Sequence, residues 1–111
     1  MESILNAIKK LLGLEADYDA FDVDIMIHIN SVFMTLNQLG VGPEKVFQIT
    51  GPAETWADFC DEAKFAAVKQ YVYIKTRILF DPPTSSFVLE ALNRQAEELT
   101  WRLEVQGEGG E

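Results

Sequence analysis

The sequence predicts a mainly α fold, a small helical bundle of three to four helices with one short strand or extended arm. Three observations predict it. Apolar residues return at three- and four-residue spacing over long stretches, the period of a helix with a face against a core. Glycine or a proline pair follows most of those stretches, and Ser, Thr or Asp precedes them, which is the punctuation of helix ends. One segment, KVFQIT at 45–50, alternates instead in the manner of a strand.

The chain of 111 residues suits one domain, assigned to residues 1–104, with a flexible acidic tail at 105–111. With 48% hydrophobic and 24% charged residues it has enough apolar surface to fold. A formal net charge of -9 argues against tight binding of free nucleic acid, because phosphate binding needs clustered lysine and arginine. A single cysteine, Cys60, excludes an internal disulfide and a multi-cysteine zinc site, and fits a reducing, intracellular setting. The apolar run near the N-terminus is interrupted by Asn6, Lys9 and Lys10 and is too short to span a bilayer. It also lacks the order of a signal peptide, so no membrane role is expected.

Ser3 is placed to cap a first helix whose Ile4, Leu5, Ile8, Leu11 and Leu12 share a face, with Lys9 and Lys10 near its negative end and Gly13 closing it. EADYDAFDVD, residues 15–24, is rich in acids but lacks the glycine and closing glutamate of a calcium loop. Asp19 or Asp22 is expected to cap the second helix, and Asp24 to favour its positive end. That helix should run over residues 23–39 and end at Gly40. Asp24, His28, Ser31, Thr35 and Gln38 form a narrow polar stripe on it, and nearly everything else is apolar. His28, the only histidine, has no second histidine or spare cysteine to join it in catalysis or metal binding.

After the 45–50 segment, which needs a partner for its backbone, Thr55 and Asp58 have the spacing of a capping box and open the longest helix, expected to continue to Phe80. Trp56, Cys60, Ala63, Ala67, Tyr71, Ile74 and Ile78 form one stripe on it, and Phe65, Val68, Val72 and Leu79 a second. Cys60 therefore reads as a small core residue, with the acids around it opposing thiolate formation. A helix with two apolar faces expects more than one neighbour. Met26, Phe33, Phe47, Phe65, Val68, Val72 and Leu79 are accordingly the candidate subunit interface.

Asp81, Pro82 and Pro83 then make a rigid corner: the residue before a proline leaves the helical region, the prolines cannot donate, and Thr84–Ser86 offer caps for the next helix. The last helix is expected over residues 86–103, with Glu90, Arg94, Glu98 and Arg102 alternating in sign at four-residue spacing. No phosphate loop, nucleophile elbow, histidine metal motif or aromatic-plus-basic signature is present, and Glu97 and Glu98 point in different directions. An enzyme is not expected, nor any catalytic, cofactor or metal site.

The stretch TWADF, the long YVYIKTRILFDPP and the closing EELTWRLE, together with an N-terminal helix, an acidic stretch and NQLGVG, resemble the head-tail connector proteins of long-tailed double-stranded DNA bacteriophages, also called head-completion or DNA-packaging adaptor proteins. The resemblance spans most of residues 1–104. It implies a helical virion assembly protein that forms a homo-oligomeric ring of about twelve copies on the phage portal protein. Such a ring extends the channel for passing double-stranded DNA and docks a tail-side stopper or adaptor protein. The location implied is the virion head-tail interface, reached from the host cytoplasm during assembly. If acids line the channel, Asp17, Asp19, Asp22 and Asp24 are one candidate patch, and Glu97, Glu98 and Glu104 another. The alternative is a small acidic regulator or inhibitor that mimics DNA charge to bind a basic partner. A connector would leave the second apolar stripes for neighbours, whereas a regulator would bury them in its own core.

Overall fold

The structure, a computed structural model, describes residues 2–109. Its elements are α1 (Ile4–Leu11), α2 (Asp22–Gln38), a one-turn α3 (Trp56–Phe59), a 3-10 turn (Glu62–Lys64), α4 (Phe65–Phe80) and α5 (Ser86–Gly109). α4 is the centre: α2 and α5 pack against it, and α1 packs on both α2 and α4. The mainly α bundle predicted from the sequence is the fold observed.

α1 begins where Ser3 accepts a hydrogen bond from the Asn6 N–H at 3.2 Å. It ends in a Schellman turn, with Gly13 at φ 86 and the Gly13 and Leu14 N–H groups donating to the Lys10 and Lys9 carbonyls. α2 closes in the same way: Gly40 has φ 79, and the Gly40 and Val41 N–H groups satisfy the Asn37 and Leu36 carbonyls. Neither Asp19 nor Asp22 caps α2, contrary to expectation. Phe21 occupies the cap position with no side-chain bond, and Asp22 has become the first helical residue.

The core face of α2 is Ile25, Ile29, Val32, Phe33 and Leu36. α4 meets it with Val68, Tyr71, Val72 and Ile74, and α5 adds Ala96, Leu99 and Leu103 from the other side. Thr76 is also fully buried on α4, and its hydroxyl finds no partner among the described residues.

The 45–50 segment is not a strand. At Ile49 its backbone is paired by a side chain: the Ile49 N–H donates to Asn30 Oδ1 at 2.8 Å, and Asn30 Nδ2 donates to the Ile49 carbonyl at 3.0 Å. One amide of α2 thus supplies the donor and acceptor that a neighbouring strand would have supplied. Phe47 and Ile49 point inward, and Phe47 joins Phe33 and Phe59 in a three-ring cluster with centroids 4.7–5.4 Å apart.

The long helix expected over residues 55–80 is broken. Thr55 and Asp58 do interact, the Thr55 N–H donating to Asp58 Oδ2 at 2.8 Å, but α3 ends after one turn. Cys60 and Asp61 are extended (φ -151, ψ 173 and φ -72, ψ 152), and the chain restarts through the 3-10 turn. Trp56 and Phe59, three residues apart on the single turn of α3, are both buried in the core ahead of α4. Nearby, the N-terminus is stitched down. The Ile4 N–H donates to the Glu54 carbonyl, Ser3 bridges Thr55, and Glu2 accepts from Trp56 Nε1 at 3.1 Å and from Lys69.

At the corner, Asp81 leaves the helix with ψ 70 and Ser85 caps α5 through the Val88 N–H. α5 is longer than expected. No proline follows Leu103 and the first glycine is Gly107, so nothing local ends the helix there. Of the expected tail, residues 110 and 111 lie outside the described residues.

Candidate interaction surfaces

The residues proposed as a subunit interface do not lie on one surface. Phe33, Val68 and Val72 are wholly buried within the chain, so they cannot also face a neighbour. This corrects the two-sided reading of α2 and α4: each has two apolar faces because each has two neighbours in the same chain. Phe47 is half-buried in the three-ring cluster, and Met26 packs at the core edge. Phe65 lies with Trp56, Ala57 and Ala66 along an open cleft of about 290 Å³ whose rim carries Glu2 and Lys69. Only Leu79, 51% exposed, is an open apolar side chain of that set.

Other apolar residues are exposed instead. Val23, Ile27 and Met34 follow one another along the outer side of α2, and Phe87 and Val88 open α5 just beyond the corner. Trp101 and Val105 lie near its far end. Phe87 is 76% and Trp101 65% exposed, unusual for side chains with so much apolar area.

Asp17, Asp19 and Asp24 are exposed at and beside the loop between α1 and α2. Asp22 is different. Its Oδ1 lies 2.7 Å from Lys9 Nζ, and Lys9 is fully buried, also donating to the Ala16 carbonyl at 2.9 Å. Asp22 therefore holds a lysine and is not a free channel acid. The sequence alone places Lys9 only near the negative end of its helix, without this burial. A signal was present, since Lys9 lies four residues after Leu5 and three before Leu12, within the apolar stripe. Glu97, Glu98 and Glu104 are exposed on α5, and Glu98 is paired with Arg102 at 2.7 Å.

Cys60 is half-buried, and burial pushes its thiol up to about 11, Lys64 lowering and Asp61 raising it to smaller extents. At that value it is a thiol near neutral pH and a poor nucleophile. His28 is half-buried against Phe80, with ring centroids 6.4 Å apart. Glu54 is partly desolvated, which would raise its carboxyl, but hydrogen bonds from the Thr50 hydroxyl and backbone prevail and hold it below the usual glutamate value. Among the described residues, no three His, Cys, Asp or Glu side chains are grouped to hold a metal ion, and no helix is long and apolar enough to cross a membrane.

The described residues present exposed aromatic and aliphatic side chains on α2 and α5, an open cleft, and acids on the loop before α2 and on α5. A family model described as a phage connector protein matches residues 4–110, from the first residue of α1 to the end of α5 and beyond. No curated protein and no solved structure matches the chain. The match covers nearly the whole sequence, and the chain belongs to the phage connector protein family.

Proposed function

We propose that the protein is a head-tail connector that binds the portal vertex as a ring of copies, extends the DNA channel and docks the tail-side protein. Membership of the phage connector family carries the general role. The observation that supports the ring is the exposed apolar set of Val23, Ile27 and Met34 on α2 and Leu79, Phe87 and Trp101 around α4 and α5. Isolated exposed apolar residues are ordinary, but a row of three on one helix and two large aromatics on another suit contacts made in an assembly. A ring of identical copies is a natural use for them, because a head-to-tail contact closes when the rotation between copies divides the circle.

The acidity fits a channel that DNA must pass without adhering. Asp17, Asp19 and Asp24 remain one candidate lining and Glu97, Glu98 and Glu104 another, with Asp22 withdrawn by its pairing to the buried Lys9. A second reading, a small acidic regulator of a basic protein, is favoured by the burial of Phe33, Val68 and Val72 inside the chain.

Light scattering on the purified protein, alone and mixed with the portal protein of the same genome, separates the two. A ring, or a monomer that joins the portal in fixed stoichiometry, is expected. A monomer or dimer that ignores the portal would overturn the connector reading and direct the search to basic soluble partners.

A further inference from the structure

The loop between α1 and α2 ends in an aromatic surface that the fold does not cover. Tyr18 packs edge-on against Phe21 with centroids 5.9 Å apart, Phe21 against Phe80 at 5.5 Å, and Phe80 against His28 at 6.4 Å. Tyr18 is 47% and Phe21 40% exposed, while Phe80 and His28 are half-buried, so the chain of rings runs from the core edge at Phe80 out to an open end at Tyr18. Four exposed acids stand within three residues of its members: Asp17 and Asp19 flank Tyr18, Asp24 follows Phe21, and Asp81 follows Phe80. Lys9 is buried and engaged by Asp22 and the Ala16 carbonyl, so it does not offset them. Arg77 keeps its charge and lines a cleft with Asp81, and Lys10 is exposed at the end of α1, so Asp17, Asp19 and Asp24 are the acids that give this surface its negative character.

We propose that Tyr18, Phe21, Phe80 and His28 form a docking surface for a segment of another protein that carries arginine or lysine beside apolar residues. Aromatic faces attract a cation through their quadrupoles, and adjacent carboxylates supply the charged acceptors that hold a guanidinium in place. The same rings offer apolar contact to the residues between the cations. A nucleic acid is repelled by this surface, and an uncharged apolar peptide would leave its carboxylates partly desolvated without a partner.

The loop is also held in shape before any partner arrives. Lys9 grips it at Ala16 and at Asp22, and the Tyr18 and Asp22 N–H groups close turns onto the Glu15 and Asp19 carbonyls. A surface fixed in advance loses less conformational freedom on binding. This inference does not depend on the ring.

The test is a 1H–15N NMR titration of the whole protein with a synthetic peptide alternating arginine and leucine, a serine–leucine control of equal length, and a short DNA duplex. The arginine–leucine peptide is expected to give saturable shifts at Tyr18, Phe21, His28 and Phe80, weakened by added salt. Tyr18→Ala is expected to bind about fivefold more weakly. The double change Asp17→Asn with Asp19→Asn should also weaken binding, and it decides the matter if Tyr18→Ala disturbs the fold. Equal shifts around Glu97 and Glu104, equal response to either control ligand, or unchanged affinity in the variants would overturn the proposal. So would shifts at the aromatic surface that depend on protein concentration without peptide, because a second copy would then be its occupant.

Discussion

Burying the ammonium of Lys9 carries a desolvation penalty that only close partners offset, and the two members of its pair are not equally dependent on each other. Lys9 has a side chain 1% exposed, whereas that of Asp22 is 25% exposed. Asp22→Asn would leave a buried cation with one carbonyl for company and is expected to destabilise the protein by about 3 kcal/mol. Lys9→Met leaves Asp22 with its Oδ1 buried but a quarter of its side chain in water, keeps the buried stem, and should cost less, about 1–2 kcal/mol. Urea unfolding of the two variants checks the order, and equal losses would mean that Asp22 is as desolvated as its partner. Glu54 makes a second residue-scale prediction. Its folded-state carboxyl lies below the ordinary value of 4.5, so its contribution is fully present above that value and is lost as pH falls through the lower, folded value. Melting curves from neutral to acid pH should show the wild-type advantage over Glu54→Gln shrinking in that window. An advantage that persists in strong acid would mean that the Thr50 hydrogen bonds do not favour the ionised form.

Among the elements, the segment joining α2 to α3 depends most closely on one small residue. Gly42 has φ 92, and a Cβ placed there would lie 2.4 Å from the Phe59 ring. Gly42→Ala meets both a strained backbone and a ring held between Phe33 and Phe47, so a loss of about 2 kcal/mol is expected in thermal or urea unfolding. Gly40→Ala, also at positive φ but with open space around its Cβ position, should lose only about 1 kcal/mol. Helices were legible where periodicity and punctuation agreed: Ser3 and Gly13 bound α1, Gly40 closes α2, and the proline pair divides α4 from α5. The break at Cys60 and Asp61 was not, because both residues tolerate a helix and the apolar stripe from Trp56 to Ile78 continues across it. The arm around Phe47 was half legible: alternation marked it as extended, but its partner is the Asn30 side chain, and nothing in a one-dimensional pattern announces a side chain acting as a strand.

At the scale of the whole molecule, apolar residues divide into those that hold the chain together and those that remain for something else, and sequence spacing could not sort them. On α2, Phe33 and Met34 are neighbours in sequence with the same apolar character, yet Phe33 is wholly buried and Met34 is 50% exposed. Which side of a doubly apolar helix meets its own chain depends on where α1, α4 and the arm pack, and that is decided by contacts distant in sequence. The candidate interface was therefore misassigned in its buried members while its premise, surplus apolar surface, survives at other positions. A pair of substitutions distinguishes the two roles. Phe33→Ala should lose about 4 kcal/mol of folding stability, the usual penalty for emptying a packed aromatic site. Phe87→Ser combined with Trp101→Ser should change monomer stability by about 0.5 kcal/mol or less, as expected for exposed positions without special contacts. If the connector assembles through α5, the double variant should fold normally by circular dichroism yet fail to join the portal in light scattering. Normal incorporation would move the subunit contact to α2, where Ile27→Ser with Met34→Ser is the corresponding change. A loss of folding in the α5 variant would mean instead that Phe87 and Trp101 support the chain itself, and that α5 is held by more than Ala96, Leu99 and Leu103.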